Sequence, residues 1–347
     1  MDGKELLFKL SNLNAVSGSE YLLKNTLSDA FKDYVDDIDE GNLGDFIAHK
    51  KGSSDGKFKI MIAAHADEVG LLVTGIDERG FIHFNEVAGI DPKTLPAQEV
   101  IIHGKKDVYG VIGAKPPHVL SSDDMKKAVK IEDMVIDTGL DKDEVLKLIT
   151  IGDFITIKRE AKNLLGNFMT GKALDDRSGI AILYECAREL QKMNHYADVY
   201  FVSSVMEETG CGGVSTSTYK INPQIGIAVD VTFGDTYLDD DDVDGDCGKG
   251  IPIYVGPNLH PKLTEKLIEV AKENNIPHSI SVSPGATGTD AWEMQIQREG
   301  VPTLLISLPL KYMHTSTEVI DYRDVKTAGK LLAQFISEIK DGDSYEL

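Results

Sequence analysis

The sequence predicts an α/β protein: a three-layer αβα sandwich on a largely parallel sheet, with a mainly β domain inserted into it. Three observations carry this reading. Apolar runs of strand type alternate with longer segments of helical period near both ends of the chain. From about Leu71 to Ile157 that alternation gives way to short β-branched stretches separated by turn residues. After Asn167 the alternation resumes. Residues 1–70 and 166–347 are therefore expected to form one discontinuous domain, and residues 71–165 an insert.

Taken in order, Leu6, Leu7, Leu10 and Leu13 recur at helical spacing and predict a first helix. Ser17 and Glu20 stand at capping-box spacing and predict a second helix through YLLKNTLSDAFKDYV. A buried strand, KIMIAA, runs from Lys59 and stops at His65. In the insert, GFIHFNEV, EVIIHG, VYGVIGA and DFITIKRE read as strands, while SSDDMKKAVK and LDKDEVLKL read as short helices. Beyond it, DDRSGIAILYECARELQKM reads as a strongly amphipathic helix, and DVYFVSSV and IGIAVDV as strands. KLTEKLIEVAKENN, PTLLISL and RDVKTAGKLLAQFISEIK then read as helix, strand and closing helix.

Composition excludes several function classes. The 347 residues carry 57 acids against 36 bases, a formal net charge of −21. Nucleic acids and anionic membranes are bound by clustered Lys and Arg, so neither is an expected partner. Cys186, Cys211 and Cys247 show no CxxC spacing, which argues against a disulfide framework and for a reducing, cytoplasmic home. No signal peptide is visible, and the apolar runs fall short of the ~20 residues a membrane span needs.

The unusual residues sit where the apolar strands stop. KIMIAA is followed by His65 and Asp67, DVYFVSSVM by Glu207 and Glu208, IGIAV by Asp230, and PTLLISLPLKYM by His314. ALDDRSG places Asp175 and Asp176 just before a helix. Ligands of open α/β sheets gather at the carboxyl ends of the strands, so these side chains are expected to converge there. Two imidazoles with several carboxylates suit Zn2+, Co2+ or Mn2+. Two ions with one bridging carboxylate need about five ligands, and His65, Asp175, Glu208, Asp230 and His314 supply them. Glu207 is a spare carboxylate able to carry a proton. Each residue alone is more often a strand-end or helix-cap group, since Asp is a good N-cap. The joint placement at successive strand ends is what points to chemistry.

The blocks AHADEVG, KALDDRSG, VMEETGCGG, AVDVT, GTDA and PLKYMHT, with GVIGAKPPH in the insert, resemble in order the signatures of the co-catalytic, glutamyl-aminopeptidase-like metallo-aminopeptidases of peptidase family M42. That family includes the tetrahedral and deblocking aminopeptidases. The resemblance implies one metal on His65, Asp175 and Asp230, and a second on Asp175, Glu208 and His314, with Asp175 bridging. It implies Glu207 as general base and acid, Asp67 as the group orienting His65, and a cis peptide between Asp175 and Asp176. It also implies peptide substrates, and an insert that serves homo-oligomerisation, with dimers building a hollow tetrahedral dodecamer. A deacylase or deblocking amidohydrolase acting on N-acylated amino acids or peptides is the alternative on the same metal scaffold. A glycosidase built on paired carboxylates leaves His65 and His314 unexplained, and a non-enzymatic assembly protein leaves every catalytic position unexplained.

Other signals are discounted. Asp239–Asp246 match the first half of an EF-hand loop, yet Ile251 stands where the bidentate Glu is required. The segment reads as a solvated acidic loop able to repel acidic substrates. Cys211, without a helix or basic neighbour, reads as structural, and Trp292 and Met294 read as core. Asp290 is a guess at the group that holds the substrate amine, and Glu68 has no role legible in the sequence.

Overall fold

The computed structural model describes residues 1–119, 121–122, 126–236 and 243–340. The chain starts with helices α1 (Gly3–Asn12) and α2 (Lys24–Phe31), followed by strands β1 (Asp37–Glu40), β2 (Phe46–Lys50) and β3 (Lys59–His65). Six strands then close on one another: β4 (Gly70–Ile76), β5 (Ile82–Val87), β6 (Glu99–His103), β7 (Asp107–Ala114), β8 (Met134–Asp137) and β9 (Phe154–Ile157), with α3 (Lys142–Leu148) before the last. A short ribbon, β10 (Lys162–Asn163) and β11 (Phe168–Gly171), leads back to α4 (Leu174–Leu190). There follow β12 (Asp198–Ser204), α5 (Gly212–Ile221), β13 (Ile225–Phe233), β14 (Ile251–Val255), α6 (Pro261–Glu273) and β15 (His278–Val282). The chain continues through α7 (Asp290–Met294), β16 (Thr303–Leu310), β17 (Glu318–Asp321) and α8 (Tyr322–Glu338).

The main sheet has eight strands in the order β1-β2-β12-β3-β13-β16-β14-β15. Its centre, β12-β3-β13-β16, is parallel throughout, so these four strands deliver their carboxyl ends to one edge. Parallel strands covered on both faces read as continuous apolar runs, and β3 is buried from Ile60 to His65 for that reason. Its side chains still alternate. Ile60, Ile62 and Ala64 pack with α1, α4, α6 and α8, while Met61 and Ala63 pack with Val214 of α5 and Met294 of α7. The result is the expected αβα sandwich. Close contact between α4 and α8 requires Gly329, where a Cβ would lie 2.6 Å from Glu185 Cβ.

Three local expectations need correction. The capping box at Ser17 and Glu20 does not form: α2 begins at Lys24, after a 3-10 turn over Glu20–Leu23. Instead the Glu20 carboxylate accepts from Gly18 N and Met206 N, each at 2.9 Å, and Ser17 Oγ donates to Asp67 at 2.6 Å. Helix α4 is not amphipathic in place. Fifteen residues, from Leu174 to Ala187 together with Leu190, are buried, because it is covered by the sheet on one side and α1 and α8 on the other. The expected helix over Ser121–Lys130 falls partly on residues 123–125, outside the described residues, and residues 128–130 are not helical.

The six-stranded barrel has its own core of Leu71, Val73, Ile82, Phe84, Val100, Ile102, Ile112, Ile136 and Ile155. Strand β7 alternates exposed and buried along its first six residues, the inside-outside pattern of a closed sheet. Only Ala66–Val69 separate β3 from the barrel, so the barrel sits beside the carboxyl edge of the main sheet. Among the described residues no helix is long and apolar enough to cross a membrane.

Candidate active site

His65 is the last residue of β3. Glu207 and Glu208 follow β12 after Met206, whose φ of 56° turns the chain back into the crevice. Asp230 lies inside its strand rather than beyond it, because β13 continues to Phe233. His314 arrives four residues after β16 on a turn in which Tyr312 (φ 62°) and His314 (φ 58°) are left-handed. Asp175 enters at the first turn of α4, next to left-handed Ala173 (φ 55°), and the Asp175–Asp176 peptide is cis. Left-handed non-glycine residues are costly and are kept where surrounding structure holds them.

These elements bring His65, Asp175, Glu208, Asp230 and His314 together as two triads. Ligand atoms of His65, Asp175 and Asp230 all lie within 4.8 Å of one another, as do those of Asp175, Glu208 and His314. Asp175 belongs to both: Oδ1 is 3.1 Å from His65 Nε2, and Oδ2 is 3.3 Å from His314 Nε2. Glu208 Oε1 lies 3.4 Å from the same His314 nitrogen. Glu207 stands beside the first triad, with Oε2 3.9 Å from His65 Nε2. All six line one cavity of about 410 Å³.

A supporting layer fixes these groups. Asp67 faces His65 Nδ1 with its backbone oxygen at 3.2 Å and Oδ1 at 3.4 Å, leaving Nε2 toward Asp175. The same carboxylate accepts from Glu207 N at 3.1 Å and Glu208 N at 3.2 Å, so it also holds the turn that carries both glutamates. His314 Nδ1 donates to Gly89 O at 2.6 Å, which ties this imidazole to the loop after β5 of the barrel. Two supports, Glu318 and the Gly89 carbonyl, escaped the sequence reading. Glu318 accepts from Leu174 N, Asp175 N and His314 N at 2.7, 3.2 and 3.1 Å. Asp176 accepts from His65 N at 3.3 Å, and Gly89 supplies its carbonyl. A carboxylate opening the short strand EVID, just after His314, was the available signal for Glu318.

Charge in the crevice is unbalanced. Burial drives the Asp230 carboxyl well above its usual range, and the neighbouring Asp176 adds to this. Burial also pushes Glu207 up to about 8, reinforced by Asp290 and Glu208, and pushes Glu208 up to about 7, reinforced by Asp175. Asp175 resists its burial and stays low because both imidazoles face it. Asp175 in turn raises His314 to about 9. Such carboxyls retain protons where no cation neutralises them. The donor set of imidazole nitrogens and carboxylate oxygens fits a pair of Zn2+, Co2+ or Mn2+ ions.

The remaining candidates lie around the two triads, and Asp290 and Cys211 group with Glu207. Glu68 is buried with Lys172 and Arg177 behind the crevice. Asp290 is only 2 % exposed, with Ser204 Oγ donating to it. Cys211 does have a helix, since it is the N-cap residue of α5, but burial and the surrounding acids raise its thiol. Met294 is core and Trp292 is partly exposed beside Glu207. Of the acidic run, residues 239–242 lie outside the described residues, while Asp244 lines the cavity rather than a solvated loop.

In this αβα sandwich two imidazoles from the carboxyl edge of the parallel sheet face one carboxylate at the head of a helix, a donor set suited to a hydrolase. The profile of the M42 glutamyl aminopeptidase family matches residues 44–331, and the chain belongs to that family of peptide-bond hydrolases. It is 38 % identical to a lysyl aminopeptidase of Pyrococcus furiosus, the match covering 98 % of each chain. Among solved structures, a TET aminopeptidase from a marine-sediment thaumarchaeote superimposes with a TM-score of 0.93 at 29 % identity, covering 98 % of both chains. A TET peptidase of Pyrococcus horikoshii, described as able to assemble into a tetrahedron or a large octahedral shell, gives a TM-score of 0.85 at 31 % identity over 97 % of this chain and 100 % of that one.

Proposed function

We propose that this chain is a two-cation aminopeptidase that removes N-terminal residues from peptides. The observation that supports it most is the placement of Asp175, whose two oxygens face the imidazoles of different triads. His65, Asp175 and Asp230 would hold one divalent ion, and Asp175, Glu208 and His314 the other. Bound there, such ions supply Lewis acidity to the scissile carbonyl and to the attacking water. Glu207 belongs to neither triad. Its carboxylate takes the proton of the attacking water and returns it to the departing amine. Asp67 acts through its hydrogen bonds, aiming His65 and fixing the backbone of Glu207.

The reading extends to assembly. The shells described for the Pyrococcus horikoshii relative support a homo-oligomer in which dimers build a tetrahedral dodecamer and the insert makes contacts.

The test is hydrolysis of free and N-acetylated aminoacyl-nitroanilides by chelated protein, before and after Zn2+ or Co2+ is restored. Metal-dependent cleavage restricted to the free-amine compounds is expected. Preference for the acetylated compounds would move the chain to the deacylases.

A further inference from the structure

The cavity runs on past the two triads along the main sheet, toward β14 and residues 282–289. Its walls there combine the apolar surfaces of Phe233, Tyr254, Val282, Pro284 and Leu305 with the hydroxyls of Thr232, Ser283, Thr287 and Thr289. Among the described residues no lysine or arginine lines it. Beyond Asp175, Glu207, Glu208 and Asp230, the one further acidic residue among its described lining residues is Asp244.

Asp244 is held in place from several sides. Thr232 Oγ1 donates to Asp244 Oδ2 at 2.6 Å, and that hydroxyl lies 2.6 Å from Tyr254 Oη. Asp244 N donates to Phe233 O at 3.1 Å, and Ser281 Oγ donates to Asp244 O at 3.1 Å. Thr232 is two residues beyond Asp230 on the same face of β13, a displacement of about 7 Å along the strand. That is the reach of an extended lysine or arginine side chain measured from the reacting centre.

We infer that this end of the cavity receives the side chain of the substrate's N-terminal residue, and that Asp244 makes the enzyme select a basic one, lysine or arginine. The inference rests on the aminopeptidase reading above. The apolar surfaces cover the aliphatic stem, and the carboxylate meets the cationic head. An N-terminal glutamate meets like charge at the same place, which acts against it. The formal net charge of −21 works in the same direction by drawing cationic peptides toward the crevice.

The experiment compares kcat/KM on lysyl, arginyl, leucyl and glutamyl nitroanilides for the metal-loaded wild type, Asp244→Asn and Asp244→Lys. The wild type is expected to favour the two basic substrates. Asp244→Asn should lower the lysyl-to-leucyl ratio about tenfold, the effect of removing one charge partner from a binding site. Asp244→Lys should raise glutamyl above lysyl. Metal content and circular dichroism establish that each variant is folded. An unchanged lysyl-to-leucyl ratio, or an equal loss on all four substrates, overturns the role of Asp244, as does a wild type that favours glutamyl. A wild type that cleaves none of the free-amine compounds overturns the aminopeptidase reading instead.

Discussion

Two buried charge clusters lie side by side behind the strand ends, and neighbouring residues feed opposite ones. Asp67 joins the crevice while Glu68 turns away from it; Asp175 and Asp176 join the crevice while Arg177 does not. Around Glu68 the accounts close within the chain. Lys172 Nζ reaches both of its oxygens at 2.6 Å, Arg177 Nη2 lies at 3.2 Å, and Ala15 N donates at 2.9 Å. The rest of the Arg177 guanidinium is spent on the carbonyls of Leu10, Leu13, Ala15 and Ala66. The cavity at Asp175 is lined by carboxylates and two imidazoles, with no lysine or arginine among the described residues. A buried charge is tolerated when it is paired. The first cluster is therefore a structural tie between α1, α4 and the strand edge. The second, on the function proposed above, is a receptor for cations that come from outside the chain.

That contrast predicts different losses. The largest is expected for Glu207→Gln, which should lower kcat by about 10²–10⁴-fold, the usual share of a general base. Bound metal should stay unchanged by elemental analysis, and its loss would instead place Glu207 among the ligands. Glu68→Gln belongs to the other cluster and should act on stability. Removing one partner of a buried ion pair costs about 3–5 kcal/mol, read from the denaturant midpoint. An unaltered midpoint would break the distinction between the clusters. The smallest effect concerns Asp324, a carboxyl that accepts from Gly248 N at 2.6 Å and from Gly250 N, with Arg323 beside it. Burial pushes it up to about 7. Its folded pKa is raised, so its contribution is full below about pH 4 and is lost as pH rises through about 7. The wild-type melting temperature should thus fall more steeply than that of Asp324→Asn between these limits. Parallel curves would show that this carboxyl is already compensated.

Much of this was legible in the sequence because it is written locally. Strand runs that stop at His65, before Glu207 and before His314 mark a sheet edge, and the β-branched texture after Leu71 marks the change of architecture. What escaped depends on contacts between distant segments. Glu318 bonds backbone groups 143 and 144 residues away, and the hydroxyl of Ser17 reaches across 50 residues to Asp67. The Ser17 and Glu20 spacing misled because tertiary partners outcompeted the local cap. Helix α4 misled because its polar residues near the start, Asp175, Asp176 and Arg177, are buried for function and for the ion cluster rather than turned to water. Asp244 was read as part of a solvated run because only the fold shows Thr232 and Tyr254 meeting it.

The most direct test of the central claim is a calorimetric titration of chelated protein with Zn2+ or Co2+, for the wild type and Asp175→Asn. If Asp175 joins two cation sites, the wild type binds two ions per subunit and Asp175→Asn loses tight binding at both. Two ions retained by Asp175→Asn, or none bound by the wild type, would contradict it.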